Sequence, residues 1–199
     1  MKPTEYRQLL IETIEALDMT AVERLVEVFL DAHQRGAQIF TMGNGGSGAS
    51  ASHAAGDFLK GASYGLDKRF KMICLNDNVP SMMAVANDIG WDDIFVEPLK
   101  NYLHPGDVVI GISGSGNSRN VLKAAEYAKS KGATLVGMTG FKGGKLRELA
   151  DLSIHSVAMD MEVAEDVHMA VFNMVKKACM ARLMGDAPSM GGTYDARIS

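Results

Sequence analysis

Three stretches of this 199-residue chain carry side chains whose types and spacing suit chemistry. In GISGSGNSRN, residues 111–120, Ser113, Ser115 and Ser118 surround Gly114 and Gly116. Hydroxyls donate to anionic oxygens, and glycine lets the backbone approach them closely. A helix opening directly afterwards adds unpaired N–H groups and the positive end of its dipole. In FTMGNGGSGASASH, residues 40–53, Asn44 and Ser47 lie among glycines, and His53 is followed four residues later by Asp57. That spacing puts imidazole and carboxylate on one helix face. In MEVAEDVHMAVFN, residues 161–173, Glu162, Glu165, Asp166, His168 and Asn173 open a largely apolar helix. Carboxylates and an imidazole beside an anion-binding loop suit proton transfer on a small phosphorylated molecule. Each stretch also has a plainer reading. The serines serve as turn and cap residues, with Ser118 beside a helix N-cap; His53 and Asp57 form a solvated pair; and the acids complement a helix dipole.

Gly43, Gly45 and Gly48 stand at the G-x-G-x-x-G spacing of a dinucleotide fold. That fold needs an acidic residue at the end of the second strand to hold a ribose. Asp67 precedes that strand and Asp77 lies too far on, so no nucleotide cofactor is expected. No lysine follows either loop at Walker spacing, which removes a triphosphate with Mg²⁺ as well. One phosphate held by hydroxyls and amides fits best. Lys142 and Lys145 read as solvated.

The elements that must position these residues follow from periodicity. Two helices fill residues 1–35, the second carrying Val22, Leu25, Val26, Phe29 and Leu30 at helical spacing and stopped by Gly36. Buried strands are expected at 37–43, 69–76, 108–113, 133–140 and 151–157. Helices are expected at 47–59, 79–87, 91–103, 117–131, 144–150 and 161–184. Continuous apolar strands alternating with helices mean an α/β fold, a three-layer doubly wound parallel sheet with extra N-terminal helices. The expected division is 1–35 as helices packing on the core or a partner subunit, 36–184 as the ligand-binding domain, and 185–199 as a loose tail. Ligands in such sheets bind where strands lead into helices.

A net charge of −4 argues against nucleic acid as partner. No apolar run is long enough to span a bilayer. The charged, amphipathic MKPTEYRQLLIETIEAL does not read as a secretory leader. Cys74 and Cys179 lack zinc-type spacing and read as reduced thiols, so a cytoplasmic location is expected.

GNGGS (43–47), His53, AVANDIGWDDIF (84–95), PGDVVIGIS (105–113), SGNSRNV (115–121) and MTGFKGGKL (138–146) together resemble the sugar isomerase (SIS) domain. Within it they resemble phosphoheptose isomerases, which interconvert sedoheptulose 7-phosphate and D-glycero-D-manno-heptose 7-phosphate. The resemblance implies aldose–ketose isomerisation through an enediol. The phosphate is expected on Ser113, Gly114, Ser115 and Ser118; the resemblance adds sugar contacts from Asn44, Ser47 and Asp88, and Glu162 and Asn173 are further substrate-binding candidates. The resemblance also implies a homodimer or homotetramer with sites completed across subunits. The family's acid/base pair is a Glu at position 57 and a His at position 173. Zinc in some members is held by those two, by the residue at 53 and by a Gln at 165.

Here the pattern departs. Asp57 is one methylene shorter, and Asn173 does not titrate near neutral pH. Three outcomes stay open: proton transfer moves to Glu165 or His168, the local register shifts, or chemistry is lost and phosphosugar binding persists, as in DiaA-type regulators. The expected catalytic set is Asp57, Glu165 and His168, with His53, Asp57 and Glu165 as the zinc candidates.

Overall fold

The computed structural model describes residues 1–185, so the expected tail beyond Gly185 lies outside the described residues. Helices α1 (Pro3–Glu15) and α2 (Met19–Arg35) lead into β1 (Gln38–Gly43), α3 (Gly45–Gly56) and a π-helical turn (Asp57–Gly61). Then come β2 (Lys71–Cys74), α4 (Val79–Asp88), a 3₁₀ turn (Trp91–Asp93), α5 (Val96–Tyr102) and β3 (Val108–Ser113). The chain closes with α6 (Arg119–Ser130), β4 (Thr134–Thr139), α7 (Gly144–Leu149), β5 (Leu152–His155) and α8 (Met161–Met184).

The strands form one parallel sheet in the order β2-β1-β3-β4-β5. Successive strand residues point to opposite faces, and the two faces hold separate cores. Ile39, Val108, Ile110, Ile112, Val136 and Met138 pack with α2, α3 and α8. Phe40, Met42, Val109 and Leu135 pack with α5 and α6. Gly111 and Gly137 are paired in register on the second face. A Cβ on Gly111 would stand 3.0 Å from Val121, and one on Gly137 3.0 Å from Ala150. The bare strands let the covering layer sit close.

Local chemistry explains the helix ends. Asp18 accepts from Thr20 N and Ala21 N at 3.0 and 3.2 Å, and Gly36 closes α2 at φ +71°. Asp160 caps α8 by accepting from Val163 N at 3.0 Å.

Two expected helices are corrected. The span 91–103 is broken because Ile94 and Phe95 turn inward and are buried. Helix α5 then restarts with Pro98 in its first turn, where no N–H is needed. The span 47–59 begins at Gly45 and passes into the π turn. Phe58 on that turn is buried between Phe29 and Phe70, with ring centroids 4.6 and 5.1 Å away. Ser63 Oγ fastens it, donating to Phe58 O at 2.7 Å and accepting from Phe70 N at 3.0 Å. Strand β2 is shorter than expected because only 71–74 pair with β1. The N-terminal helices lie on the first core, with Leu9, Leu10 and Ile14 partly buried against it.

Candidate active site

After β1 the chain moves to one side of the sheet, and after β3 to the other. The loops leaving these adjacent strands diverge, opening a crevice at the carboxyl ends. A cleft of about 260 Å³ lies there. Asn44, Gly45, Gly46 and Ser47 line it from the β1–α3 loop, and Ser113, Gly114, Ser115 and Ser118 from the β3–α6 loop. Met161 and Glu165 of α8 complete it, with Ile112.

The β3–α6 loop presents hydroxyls that capping does not use. Ser118 is the N-cap of α6, yet its side chain makes no capping bond; its Oγ lies 3.0 Å from Ser113 Oγ. The N-terminus of α6 therefore meets the cleft without a cap from Ser118, Val121 N donating to Asn120 Oδ1 at 2.9 Å. Gly116 shapes the loop, at φ +66° and packed so closely that a Cβ would stand 1.7 Å from Gly143 O. Leu146 N donates to Gly116 O and Gly140 N to Gly114 O, both at 2.9 Å, tying the loop to its β4–α7 neighbour.

The other helix N-terminus is already taken. Asn44, the N-cap of α3, makes no capping bond, and the Ser47 N–H donates to the Glu165 carboxylate instead. Gly46 makes this possible, since a Cβ there would stand 2.1 Å from Glu165 Oε2. Burial raises the Glu165 pKa, helped by the Glu162 charge and more weakly by Asp166, against the lowering effect of the Ser47 bond. A half-buried carboxyl with a raised pKa beside this loop suits proton exchange with a bound molecule. Among the described residues lining the cleft there is no lysine, arginine or histidine, and its polar groups are hydroxyls, amides and one carboxyl.

The remaining candidates lie elsewhere. His168, expected to be catalytic, is fully buried. Its Nε2 donates to Thr139 O at 3.1 Å, Nδ1 has no partner, and burial pushes its pKa down to about 4. A neutral imidazole shut inside the core cannot reach a ligand in this cleft. Glu162 and Asn173 are exposed on α8, and Asp88 is exposed at the end of α4, accepting from Asn87 Nδ2 at 2.7 Å. His53 and Asp57 lie outside the cleft lining, with His53 Nε2 3.6 Å from Asp57 Oδ2. Asp57 Oδ1 meets Lys176 Nζ at 2.9 Å.

At the zinc positions implied by the resemblance, the residues of this chain are replaced or make other contacts. Glu165 is committed to the α3 N-terminus, Asn173 replaces an imidazole, and Lys176 holds one oxygen of Asp57. Among the described residues, no three His, Cys, Asp or Glu side chains group so as to hold a metal ion. No chemical step below is routed through one.

Three residues important to the site were not singled out from sequence. Asn120, buried in the first turn of α6, exchanges two hydrogen bonds with Asn44 at 2.9 and 2.8 Å. Its signal was available: an amide heading the apolar stripe that continues through Ala124 and Ala128. Asn76 pairs with the Gly43 backbone, donating to its O at 2.8 Å and accepting from its N at 3.3 Å. No sequence signal marks Asn76, nor Lys176.

The SIS domain family model matches residues 4–140, and the chain belongs to this family. It is 36% identical over 155 residues to the phosphoheptose isomerase of Rhodospirillum rubrum, covering 78% of this chain and 82% of that one. It is 32% identical over 184 residues to the phosphoheptose isomerase of Chlorobaculum tepidum, covering 90% and 87%. In fold it matches the Francisella tularensis phosphoheptose isomerase structure with a TM-score of 0.81 at 23% identity, over 88% of this chain and 93% of that one.

Proposed function

We propose that this chain is a phosphosugar aldose–ketose isomerase of the phosphoheptose isomerase type, acting on sedoheptulose 7-phosphate and D-glycero-D-manno-heptose 7-phosphate. The observation that carries the reading is a cleft in which a loop of serine hydroxyls at a helix N-terminus adjoins the carboxyl of Glu165. The phosphate rests on Ser113, Ser115, Ser118 and the α6 N-terminus. Asn44, held by Asn120, and Ser47 contact the sugar hydroxyls. Glu165 takes a proton from C1 of the ketose, giving an enediolate, and a proton is returned at C2. The C1 hydroxyl loses its proton as the C2 oxygen gains one, so the isomer forms with no net change in atoms. Burial raises the Glu165 pKa above the ordinary carboxylate value, which favours it as the group that accepts and returns the proton.

Asp57 and His53 enter the site in an assembly. We infer a homo-oligomer, supported by α4, which has no buried residue of its own, and by exposed Val79, Met83, Ile89 and Trp91 beside it. In it, the His53–Asp57 face contributes to a cleft with Asp88, Glu162 and Asn173. The buried, unpaired thiols of Cys74 and Cys179 suit a reducing cytoplasm, and no helix of the described residues is long and apolar enough to cross a membrane.

The test is to mix purified protein with sedoheptulose 7-phosphate and follow aldose formation. Asn173 favours a second reading, a DiaA-like phosphosugar-binding regulator, because an amide cannot relay a proton. Thermal stabilisation by the sugar phosphate without turnover would select that reading; neither stabilisation nor turnover would remove both.

A further inference from the structure

One oxygen of the Asp57 carboxylate is engaged by an ammonium, and the other faces an imidazole at longer range. Lys176 Nζ lies 2.9 Å from Oδ1, and His53 Nε2 lies 3.6 Å from Oδ2. Lys176 is the most enclosed of the three, its side chain 18% exposed against 28% for Asp57 and 62% for His53. Its approach is built into the backbone. The π turn ends on Gly61, where a Cβ would stand 2.8 Å from Lys176 Cε and 2.9 Å from Nζ. Phe58, packed on Phe29 and Phe70, anchors the turn that carries Asp57 at its start and Gly61 at its end. Extra backbone width, a missing side chain and an enclosed ammonium converge on one carboxylate.

The same carboxylate is where the family resemblance would seat zinc, with an imidazole at 173. Here residue 173 is an exposed asparagine, and the positive charge comes from Lys176, three residues further along α8. A divalent ion on Asp57 would meet that ammonium at close range, where like charges repel strongly. We propose that Lys176 replaces a metal ion as the cation at Asp57. The ammonium is then a positioning residue that fixes the carboxylate, and this chain holds no divalent ion at the His53–Asp57 face. The inference rests on the isomerase reading only in counting Asp57 as part of the site. Metal binding is measured without turnover, so either can fail alone.

Chelator-treated protein is titrated with Zn²⁺ alone by calorimetry, and retained metal is counted after dialysis. Wild type is expected to retain far less than one ion per chain. A full equivalent that Asp57→Asn abolishes would overturn the proposal. Lys176→Met keeps the stem and removes the charge, and is expected to tighten Zn²⁺ binding by about tenfold or more. Lys176→Arg is expected to bind as weakly as wild type. Equal affinity in wild type and Lys176→Met, or tight binding in Lys176→Arg, counts against it. Should Lys176→Met fail to fold, Gly61→Ala displaces the ammonium without deleting it. Tighter Zn²⁺ binding is expected there too, and unchanged binding rejects the idea. Turnover of sedoheptulose 7-phosphate, recorded separately with and without chelator, tests the isomerase reading by itself.

Discussion

Among the described residues lining the cleft, Glu165 is the one titratable side chain, and its position defines what substitution should do. Glu165→Gln keeps the shape and loses the proton acceptor, so kcat should fall by at least ~10²-fold while stabilisation by the sugar phosphate persists. Near-wild-type kcat in a steady-state assay would remove Glu165 from the chemistry. Ser115→Ala should act mainly on KM, since its hydroxyl serves the phosphate; an unchanged KM would count against the cradle. His168 makes a prediction of a different kind. Its pKa is about 4 in the fold, against 6.5 for the free side chain, so between these values the unfolded chain binds the extra proton. The corresponding stability is fully present above pH 6.5 and is lost as the pH falls toward 4. Urea midpoints should drop between pH 7 and pH 5, and His168→Gln should flatten that slope. A slope that survives the substitution would assign acid sensitivity to other groups. The serine loop was legible at this scale because its residues are neighbours in the chain. Glu165 could be named as a candidate, but its seat on Gly46 could not, because the two meet only after β1 and α8 pack on a common sheet.

At the scale of elements, periodicity located the five strands of the described residues and placed α8 at its observed ends, Met161 and Met184. An apolar stripe runs the length of that helix, so its pattern and its burial agree. The failures occur where tertiary packing overrides local preference. Phe95 and Ile94 turn into the core and split one expected helix; Phe58 is drawn between two other rings and widens α3 into a π turn. Neither event has a local signature. The glycines of the site elements should tolerate little. Gly116→Ala introduces a Cβ against Gly143 O at a positive φ, and should cost roughly 2 kcal/mol or more in denaturant unfolding. Gly46→Ala should leave the global fold largely intact while expelling the Glu165 carboxyl, so activity falls with little change in melting temperature. If Gly46→Ala retains full activity, the seat of Glu165 on α3 is not needed for function.

For the molecule as a whole, the exposed apolar residues of α4 and the turn after it set the expectation of self-association. Light scattering on size-exclusion fractions should give a mass of at least twice the 21.4 kDa chain. Met83→Glu combined with Trp91→Glu should shift it toward monomer and lower activity together with it. A wild-type monomer with full turnover would separate the chemistry from assembly. The strand order β2-β1-β3-β4-β5 has a further effect. The crevice exists because the chain departs in opposite directions from two adjacent strands, and the proposed phosphate cradle is formed by the β3–α6 loop, against which α8 packs through Met161 on Gly114. Capture and conversion of the sugar thus draw on different side chains. A descendant that lost the acid on its last helix would keep its grip and become a gauge of sugar supply, its reader needing only to sense whether the crevice is filled.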